Sequence, residues 1–379
     1  MNYVGTARPI HDAKGKATGY SKYAGDISLS NMAYLCMLHS KIPHGYVKAV
    51  HAEKALALPG VYGVYHCLNT SERKYNRYRS SFDQAYLANE ERAFNQYVRF
   101  VGDKIGAVAA CDQETAEKAA RLVEVEYEEL PFSIGFDDTL AGKNCLDGET
   151  PVRDEYELDV GEKQGSTEGL IEVCSTMELP RLHHATMETH ACMADYDPYS
   201  DMLTVYCPNQ AVHGIRTVLA DFLEMPESHV RVVKATMGGS FGAKQEWFLE
   251  PVAALVAKKL CCPVKLVYSR GEAMTDTIVR GAMRMSARGY YTPDGEMKEI
   301  YCDVTLDAGA YIGNAGDYIR ALAGKPTRCY RIPYMHYHGQ VISSNSPVSG
   351  AFRSWSAAEE ALMMEHQIDA AAGKLGINI

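Results

Sequence analysis

A glycine-rich loop is the part of this sequence whose residue types and spacing most clearly predict ligand binding. This glycine loop, residues 234–247, reads KATMGGSFGAKQEW and lies between the alternating segment HVRVVKA and the apolar segment LEPVAALVAKKL. A strand, a glycine loop and a helix in this order often hold phosphate through backbone N–H groups. Here Ala243 separates Gly242 from Lys244, no Ser or Thr follows the lysine, and the glycines do not fit G-x-G-x-x-G. The spacing therefore excludes both the P-loop and the dinucleotide fingerprint.

Phe241 stands between the glycines, and turn chemistry does not explain it. Gly238, Gly239 and Gly242 allow positive φ angles and a close approach of the backbone to a bound group. Two interpretations remain open. Either the phenyl ring forms a wall for a planar ligand beside bare backbone, or the segment is a tight strand-to-helix turn whose phenylalanine belongs to the core.

A second loop, residues 345–355, reads NSPVSGAFRSW. Gly350 and Ala351 form a small-residue turn directly before Arg353 and the large aromatic Trp355. Such a loop would present its arginine to an anion or a heterocycle. The alternative is an ordinary surface arginine that follows a turn.

Metal-ligating residue types occur, but not at metal-binding spacings. The histidine segment, residues 182–190, reads LHHATMETH and contains three histidines and a glutamate. It lacks the H-E-x-x-H spacing, and its strand-and-loop context does not align side chains as a helix would, so hydrogen-bonded structural histidines are favoured over zinc. The eleven cysteines show neither C-x-x-C nor C-x₄-C-x₂-C spacing, which is typical of reduced, buried thiols.

The composition is that of an acidic globular protein. At ~100–200 residues per domain, a chain of 379 residues should hold more than one domain. The formal net charge of −10 argues against nucleic acid or an anionic membrane as a partner. No apolar run approaches the ~20 residues of a membrane-spanning helix, and the N-terminus lacks the apolar core of a secretory signal. We therefore expect a cytoplasmic location.

The hydrophobic pattern predicts an α+β protein with two units. In residues 1–140, an apolar strand precedes a short helix with Asp112 as its N-cap, and the alternating strand VEVEYEEL follows. Residues 141–168 are polar and patternless, so we interpret them as a linker. Residues 169–379 combine strands and helices, including a hairpin that turns at 293–295 and a C-terminal helix with an apolar stripe.

Several motifs, in the same order, resemble those of one enzyme family. GGSFGAKQEW resembles the GGxFGGK loop of the molybdenum-binding subunits of the xanthine dehydrogenase/aldehyde oxidase family, NSPVSGAFRSW resembles its GAFRGFGxPQ segment, and HATMET is similar to its HxxMEP run. AKGKATGYSKYAGDI, KIPHG and FVGDKIGAVAA…VEVEYEEL resemble its hammerhead domain. The resemblance implies an N-terminal α/β hammerhead domain followed by the first molybdopterin-binding α+β domain. The second half of the family's subunit has no counterpart in this sequence.

The resemblance also implies a reaction, a cofactor and partners. Family members hydroxylate a carbon next to nitrogen or oxygen with water as the oxygen source, at a molybdenum bound by molybdopterin or its cytosine dinucleotide. Electrons leave through two 2Fe-2S clusters to FAD, which we expect on partner chains, as we expect the second molybdopterin-binding half. The expected substrate is a purine, such as xanthine or hypoxanthine, or a related N-heterocycle. The alternatives are an aldehyde-oxidising member, or a truncated, non-catalytic fragment or half-subunit that needs a second polypeptide to bind cofactor.

The same resemblance assigns residues to the cofactor. Gln210, sixteen residues before Pro226, matches the family's glutamine that hydrogen-bonds the apical oxo ligand of molybdenum. The glycine loop would bring its backbone to the metal, and the second loop would approach it with Arg353. The cofactor-binding residues implied in this way are Gln210, Gly239, Ser240, Phe241, Gly242 and Arg353, with Gln210, Phe241 and Arg353 nearest the metal. These residues should meet in space as one wall of a metallopterin pocket.

Three further residues are assigned to the substrate by the resemblance. Arg320 matches an arginine that orients purines and stabilises negative charge in the transition state, and Gln245 stands where the purine enzymes place a glutamate. Trp355 replaces a Phe or Tyr that stacks on the substrate. The general-base glutamate belongs to the absent half. Ser354 and Ser356 depart from the glycine pattern of the family's second loop.

Overall fold

The computed structural model describes residues 3–78, 89–146, 150–163 and 165–378. The α-helices of these residues are α1 (Ala13–Ala17), α2 (Glu53–Leu56), α3 (Gln113–Ala120), α4 (Phe136–Leu140), α5 (Val212–Leu223), α6 (Glu250–Leu260), α7 (Arg270–Asp276), α8 (Ala315–Ala323), α9 (Pro326–Cys329) and α10 (Ala357–Leu375). Short 3₁₀ helices span Ala24–Asp26 and Glu227–His229. In the described parts of the chain, every helix is too short or too polar to span a lipid bilayer.

A seven-stranded mixed sheet combines the early and late parts of the chain. From one edge to the other its strands are β13 (Val230–Lys234), β12 (Met202–Cys207), β11 (Ala191–Asp197), β14 (Val264–Val267), β1 (Ala33–His39), β7 (Lys104–Ala110) and β3 (Val61–His66). The link is the parallel pairing of β1 with β14, in which Ala33 lies opposite Val264. The sheet therefore crosses the predicted division between residues 1–140 and 169–379. Local patterns did not reveal this, because pairing between distant strands leaves no local signal.

A five-stranded sheet forms the second large layer. Its strands, in order, are β10 (Ile171–Leu179), β15 (Ala282–Tyr291), β16 (Met297–Asp307), β17 (Tyr334–Ile342) and β9 (Val152–Gly161). Strand β9 lies inside residues 141–168, so the interpretation of that whole range as a linker was wrong. Its apolar residues Tyr156, Leu158 and Val160 pack against the core and alternate with the acidic residues Glu157 and Asp159, a period-2 strand pattern that the linker interpretation overlooked.

The small sheets complete the N-terminal part. One contains β6 (Tyr97–Val98), β2 (Gly45–His51) and β8 (Glu124–Glu129), and the other contains β4 (Lys74–Tyr75) and β5 (Glu91–Arg92). The predicted cap of α3 is confirmed, because the Asp112 side chain accepts the Thr115 N–H at 2.7 Å. The predicted hairpin is confirmed as the antiparallel pair β15–β16.

Each large sheet has its own hydrophobic core. The core of the seven-stranded sheet is packed by α3, α5 and α6 and includes Leu35, Val108, Val205, Leu219 and Val256. The core of the five-stranded sheet is packed by α8 and α10 and includes Met285, Val304, Ile319, Tyr337 and Met364. The glycine loop follows β13 of the first sheet, and the second loop follows β17 of the other. Two separately packed layers therefore support the two loops.

Burial of the cysteines is mixed. The buried ones are Cys67, Cys192, Cys207 and Cys302, and the exposed ones are Cys111, Cys174, Cys261 and Cys329. The prediction of buried thiols is thus confirmed for only part of the set. Burial raises the pKa of Cys67 and Cys302 to about 12, so these two are protonated at neutral pH and behave as small apolar residues.

Candidate cofactor site

The glycine loop and the second loop are in backbone contact. Gly242 has a φ angle of +107°, and a Cβ atom there would lie 2.2 Å from the Ala351 carbonyl oxygen and 3.0 Å from Phe352 Cα. Both the backbone conformation and the lack of space require glycine at this position. The predicted meeting of the two loops therefore occurs, and Gly242 is the point at which they touch.

Gln210 joins the same wall from the segment between β12 and α5. Its backbone N–H donates to the Lys244 carbonyl oxygen at 2.8 Å, and its side-chain Oε1 accepts a hydrogen bond from the Ser240 hydroxyl. The Gln210 residue is otherwise exposed. The structure thus brings Gln210, the glycine loop and the second loop together. Their contacts with a cofactor remain predictions.

The wall offers several hydrogen-bond donors that reach no protein acceptor within the described residues. These donors are the backbone N–H groups of residues 239–242, the Nε2 amide of Gln210 and the guanidinium of the exposed Arg353. Consecutive N–H groups, an amide and a guanidinium suit oxygen atoms that carry negative charge. The donor set therefore fits an anionic, oxygen-rich group, which is what an oxo-ligated metallopterin would present.

Phe241 lies outside the hydrophobic core. It is 49% exposed and has a φ angle of +56°, which is rare for an aromatic residue. Its ring rests on Gly239, where a Cβ atom would lie 3.2 Å from Phe241 Cε2. The interpretation of Phe241 as the core residue of a tight turn was therefore wrong, and the ring is available as a wall of the site.

The Glu188 carboxylate binds the glycine loop at two positions, Gly238 and Lys244. Glu188 Oε2 accepts hydrogen bonds from the Gly238 N–H at 2.7 Å and from Lys244 Nζ at 2.6 Å. The Glu188 N–H also donates to the Gly238 carbonyl oxygen at 3.1 Å, and Lys244 Nζ donates to the Glu188 carbonyl oxygen at 3.0 Å. Lys244 is 2% exposed, and burial lowers its pKa although Glu188 opposes the shift. The residues between positions 238 and 244 are therefore fixed from outside the loop.

Two histidines of the histidine segment each hold one loop. His190 Nε2 donates to the Ala243 carbonyl oxygen at 3.0 Å, and His184 Nε2 donates to the Ala351 carbonyl oxygen at 2.8 Å. Burial lowers the pKa of both from 6.5 to about 4, so both are neutral at pH 7. Across the described residues, no three His, Cys, Asp or Glu side chains are grouped to hold a metal ion. The favoured interpretation of hydrogen-bonded structural histidines is confirmed by these contacts.

We expect His184 and His190 to lower the free energy of unfolding as the pH decreases from 7 to 5, against the buried carboxyls Glu246 and Glu250, whose pKa values are raised to about 8 and about 7 and act in the opposite direction. The unfolded chain binds a proton on each histidine below the ordinary pKa of 6.5, whereas the folded chain does so only near 4. Stability is therefore lost as the pH falls through this window, by about 2 kcal/mol per histidine at pH 5. Urea denaturation at the two pH values measures the effect.

A double variant isolates the contribution of the two histidines. His184→Gln combined with His190→Gln keeps a side-chain N–H donor at each position but removes the titration, so acidification from pH 7 to pH 5 should lower its free energy of unfolding less, or raise it more, than in the wild type. His51→Gln is the control, because His51 is exposed and its hydrogen bond to Glu126 raises its pKa. An unchanged pH dependence in the double variant would contradict the assignment.

Arg280 connects the second loop to helix α10. Its Nη2 donates to the Arg353 carbonyl oxygen at 2.8 Å, and its Nη1 forms an ion pair with the buried Glu359 of α10. The guanidinium carbon lies 4.3 Å from the centroid of the Phe352 ring, and the His184 ring stacks on the same ring at 4.2 Å. These contacts fix Phe352 and the backbone of Arg353, while the Arg353 side chain remains exposed.

The end of the second loop is strained, and its tryptophan packs against protein. Ser354, Trp355 and Ser356 have φ angles of +85°, +28° and +64°, a region that glycine adopts more readily. The half-buried Trp355 ring lies 6.2 Å from the Tyr318 ring of α8, and Lys325 Nζ donates to the Trp355 carbonyl oxygen. The stacking role of Trp355 stays a prediction, and only the exposed part of its ring is open to a substrate.

The other two residues assigned to the substrate have different surroundings. Gln245 is half-buried in the glycine loop, and its N–H donates to the Gly242 carbonyl oxygen at 3.2 Å. Arg320 lies on α8 and forms a two-pronged ion pair with Asp154 of β9, with its guanidinium carbon 5.3 Å from the Tyr156 ring centroid. To orient a substrate, Arg320 would have to share or release Asp154. Both roles stay predictions.

The buried carboxyl of Glu246, which belongs to the glycine loop and lies against the second loop, was not identified from the sequence. Glu246 is 2% exposed, and burial raises its pKa to about 8 although the charge of Arg77 opposes the shift. A Cβ atom at Gly350 would lie 2.6 Å from Glu246 Oε1, which puts the carboxyl directly under the second loop. The nearby Ala351 N–H also opposes the rise of the Glu246 pKa. The sequence signal was a glutamate at the start of an apolar run.

Comparison with protein-family models agrees with this geometry. Residues 18–131 match the aldehyde oxidase and xanthine dehydrogenase, a/b hammerhead domain, and residues 153–379 match the molybdopterin cofactor-binding domain. The fold is therefore that of a hammerhead domain followed by a molybdopterin cofactor-binding domain. The chain belongs to the aldehyde oxidase and xanthine dehydrogenase family, as its motifs predicted.

Its relatives differ in length and in named substrate. The xanthine dehydrogenase molybdenum-binding subunit of Escherichia coli O157:H7 is 31% identical over 97% of this chain, and the carbon monoxide dehydrogenase large chain of Hydrogenophaga pseudoflava is 30% identical over 95%. The chain spans about half of these relatives, 50% and 47% of their lengths. The nicotinate dehydrogenase large molybdopterin subunit of Eubacterium barkeri is 29% identical over 97% of this chain, which spans 85% of that relative.

Solved structures share the fold over almost the whole chain. Quinoline 2-oxidoreductase from Pseudomonas putida 86 superimposes with a TM-score of 0.91 and 24% identity. The match covers 99% of this chain and 49% of that one. At this level of identity the likeness establishes the fold alone.

Proposed function

We propose that this chain is part of the molybdenum-binding subunit of a hydroxylase that adds an oxygen atom from water to a ring carbon of a purine or related N-heterocycle and passes the two electrons released to the cofactor and on to iron–sulfur and flavin partners. The observation that carries the proposal is the set of donors without a protein acceptor in the described chain: Gln210, the N–H groups of residues 239–242, and Arg353. Pre-positioned donors of this kind stabilise oxygen atoms that hold or gain negative charge.

Each part of the wall has a proposed task. When bound, the molybdopterin cofactor would supply the two-electron oxidation and the site at which water is activated. Gln210 Nε2 would donate to an oxygen ligand of the metal, and the glycine loop would admit the cofactor close to its backbone. Arg353 would add positive charge from the second loop. Arg320 would orient the heterocycle and stabilise charge on its oxygen, with Gln245 as a further hydrogen-bonding group.

Names of relatives support the N-heterocycle more than the alternatives. Two relatives are named for N-heterocyclic compounds, xanthine and nicotinate. The carbon monoxide dehydrogenase relative is named for a substrate of a different class. Arg320 and Gln245 together supply donors and an acceptor suited to a ring that carries both nitrogen and oxygen. An aldehyde-oxidising member is the second candidate for the substrate.

A second polypeptide is proposed to complete the site. The Eubacterium barkeri relative is described as a large molybdopterin subunit, and this chain spans 85% of it, so a subunit of similar length exists among the relatives. The partner would contribute the general base and the remaining cofactor contacts. Further partners would carry the 2Fe-2S clusters and FAD. The competing proposal is a non-catalytic fragment that binds no cofactor.

We expect molybdenum to bind in a one-to-one ratio only when the chain is co-expressed with a polypeptide that carries the second half. Metal analysis of the chain alone and of the complex measures this. In the complex, Arg320→Leu should slow turnover of hypoxanthine or nicotinate by about 100-fold, because a group that stabilises transition-state charge is lost. Turnover of an aldehyde should fall much less.

Arg328→Leu serves as the matched control, because Arg328 is exposed on the neighbouring α9. Equal losses on heterocycle and aldehyde would contradict the substrate assignment. A complex that contains no molybdenum would support the non-catalytic fragment instead.

A further inference from the structure

Ser240 lies in the middle of a chain of hydrogen bonds that runs across the glycine loop. Its hydroxyl oxygen accepts the Lys244 backbone N–H at 3.1 Å, and its hydroxyl proton is donated to Gln210 Oε1. Ser240 is 7% exposed, so bulk water does not replace these partners. A backbone N–H can only donate, which leaves the hydroxyl proton for the carbonyl end of the Gln210 amide.

The direction of the Gln210 amide decides what the wall presents. The two ends of a glutamine amide have nearly the same size but opposite hydrogen-bonding roles. With Oε1 held by Ser240, the Nε2 group is the end left without a partner in the described part of the chain. A reversed amide would present a carbonyl oxygen, which repels an oxygen ligand instead of donating to it.

We infer that Ser240 is a positioning residue that selects the orientation of the Gln210 amide, so that an N–H donor faces the cofactor. The inference rests on the proposed function and deepens it, since the cofactor is what the donor serves. Lys244 keeps the serine in place, because its backbone N–H binds the hydroxyl oxygen and its ammonium group is held by Glu188 at 2.6 Å. The family motif does not require serine here, as the GGxFGGK pattern leaves this position open.

If Ser240 served only the stability of the loop, its loss would not change the orientation of the Gln210 amide. Three variants distinguish this structural role from the inferred one. Ser240→Ala removes the hydroxyl, and Ser240→Thr retains it. Ser269→Ala is the structural control: the Ser269 hydroxyl caps α7 by accepting the Glu272 N–H at 3.2 Å. The Ser269→Ala variant therefore removes a side-chain acceptor of a backbone N–H, as Ser240→Ala does, but at a residue outside the proposed site.

The first experiment needs no molybdenum. The side-chain amide nitrogens of glutamine are labelled with ¹⁵N in the full chain, with its partner bound if the chain requires it, and the Gln210 signal is assigned by its loss in Gln210→Leu. We expect Ser240→Ala to shift or broaden the Gln210 NH₂ signals, whereas Ser240→Thr and Ser269→Ala leave them at the wild-type position. Signals that do not move in Ser240→Ala would overturn the inference.

The second experiment uses the molybdenum-loaded complex. We expect Ser240→Ala to lower kcat or the metal content by about 10- to 100-fold and to change the Mo(V) electron paramagnetic resonance spectrum. Ser240→Thr should restore both, and Ser269→Ala should retain both. A wild-type spectrum, metal content and rate in Ser240→Ala would refute the role towards the cofactor. If the wild-type complex binds no molybdenum, the proposed function fails, while the nitrogen signals still decide whether Ser240 orients Gln210.

Discussion

Replacing Arg77 by methionine is expected to lower the free energy of unfolding by about 3–5 kcal/mol. Arg77 and Glu91 form an ion pair in which each side chain is 2% exposed. The variant would leave the Glu91 carboxylate buried, and Lys104 Nζ, at 3.5 Å from the same oxygen, would compensate only in part. Burial alone would raise the pKa of Glu91, but Arg77 and Lys104 hold it below its ordinary value. Urea denaturation at pH 7 measures the loss.

The same substitution should disturb the site. The Arg77 guanidinium carbon lies 5.6 Å from the Phe248 ring centroid, and its charge acts on the buried Glu246 carboxyl of the glycine loop. A residue from the early part of the chain thus supports the end of the glycine loop. We therefore expect Arg77→Met to reduce the molybdenum content of the complex as well as its stability.

Arg73 provides the matched comparison for Arg77. Its side chain is 37% exposed and forms ion pairs with Asp221 at 3.0 Å and with Glu224 at 2.7 Å. Because solvent screens these pairs, Arg73→Met should cost about 0–1 kcal/mol. Adding Glu91→Met to Arg77→Met should recover part of the loss, because the buried Glu91 charge is removed and Lys104 keeps Asp276 as a partner at 3.6 Å. If Arg77→Met were no more harmful than Arg73→Met, the buried pair would not be a source of stability.

The second large effect is expected at Gly242. Gly242→Ala forces an alanine into a φ angle of +107° and places its Cβ 2.2 Å from the Ala351 carbonyl oxygen. Neither loop can yield easily, since His190 and His184 hold the carbonyl groups on either side of the contact. Backbone strain and overpacking together should cost about 3 kcal/mol or more. Urea denaturation of the chain and metal analysis of the complex give the two readouts.

Gly373→Ala makes the same chemical change where it is harmless. Gly373 lies in α10, and a Cβ atom there would meet nothing within 4 Å. Alanine should stabilise the helix by about 0.5–1 kcal/mol, because glycine loses more conformational freedom on folding. A Gly242→Ala variant that retains wild-type stability and metal content would show that the two loops do not need their backbone contact.

Local features of the sequence were sufficient to predict the loops and most of the elements around them. The glycine spacing at residues 238–242 left two interpretations open, and the resemblance of both loops to family motifs predicted that they meet. Asp112 correctly marked the start of α3. These signals are local because a positive φ angle, a helix cap or an alternating strand depends on a few consecutive residues. The family motifs could be recognised along the whole chain because each of them also consists of a few consecutive residues.

The predicted linker and the strand order were the parts of the fold that the sequence did not reveal. Strand β9 was taken as linker because its polar, glycine-containing surroundings outweighed its alternating apolar residues. The pairing of β1 with β14 joins residues more than two hundred positions apart, which no local pattern reveals. A sheet edge accepts any strand whose backbone groups and apolar face match it, so strand order is decided by the packing of the whole chain.

The sequence by itself predicted which residues could form one wall of a metallopterin pocket, but the tertiary structure decided the hydrogen-bond and ion-pair partners of these residues. Arg320 was a charge without a known counter-ion in the sequence, and it is paired with Asp154 in the fold. Gln210 was an amide of unknown direction, and Ser240 binds its carbonyl end. The reason is physical: a side chain's type is fixed by the residue alone, whereas its hydrogen-bond partner depends on which distant segment the folded backbone brings within about 3 Å.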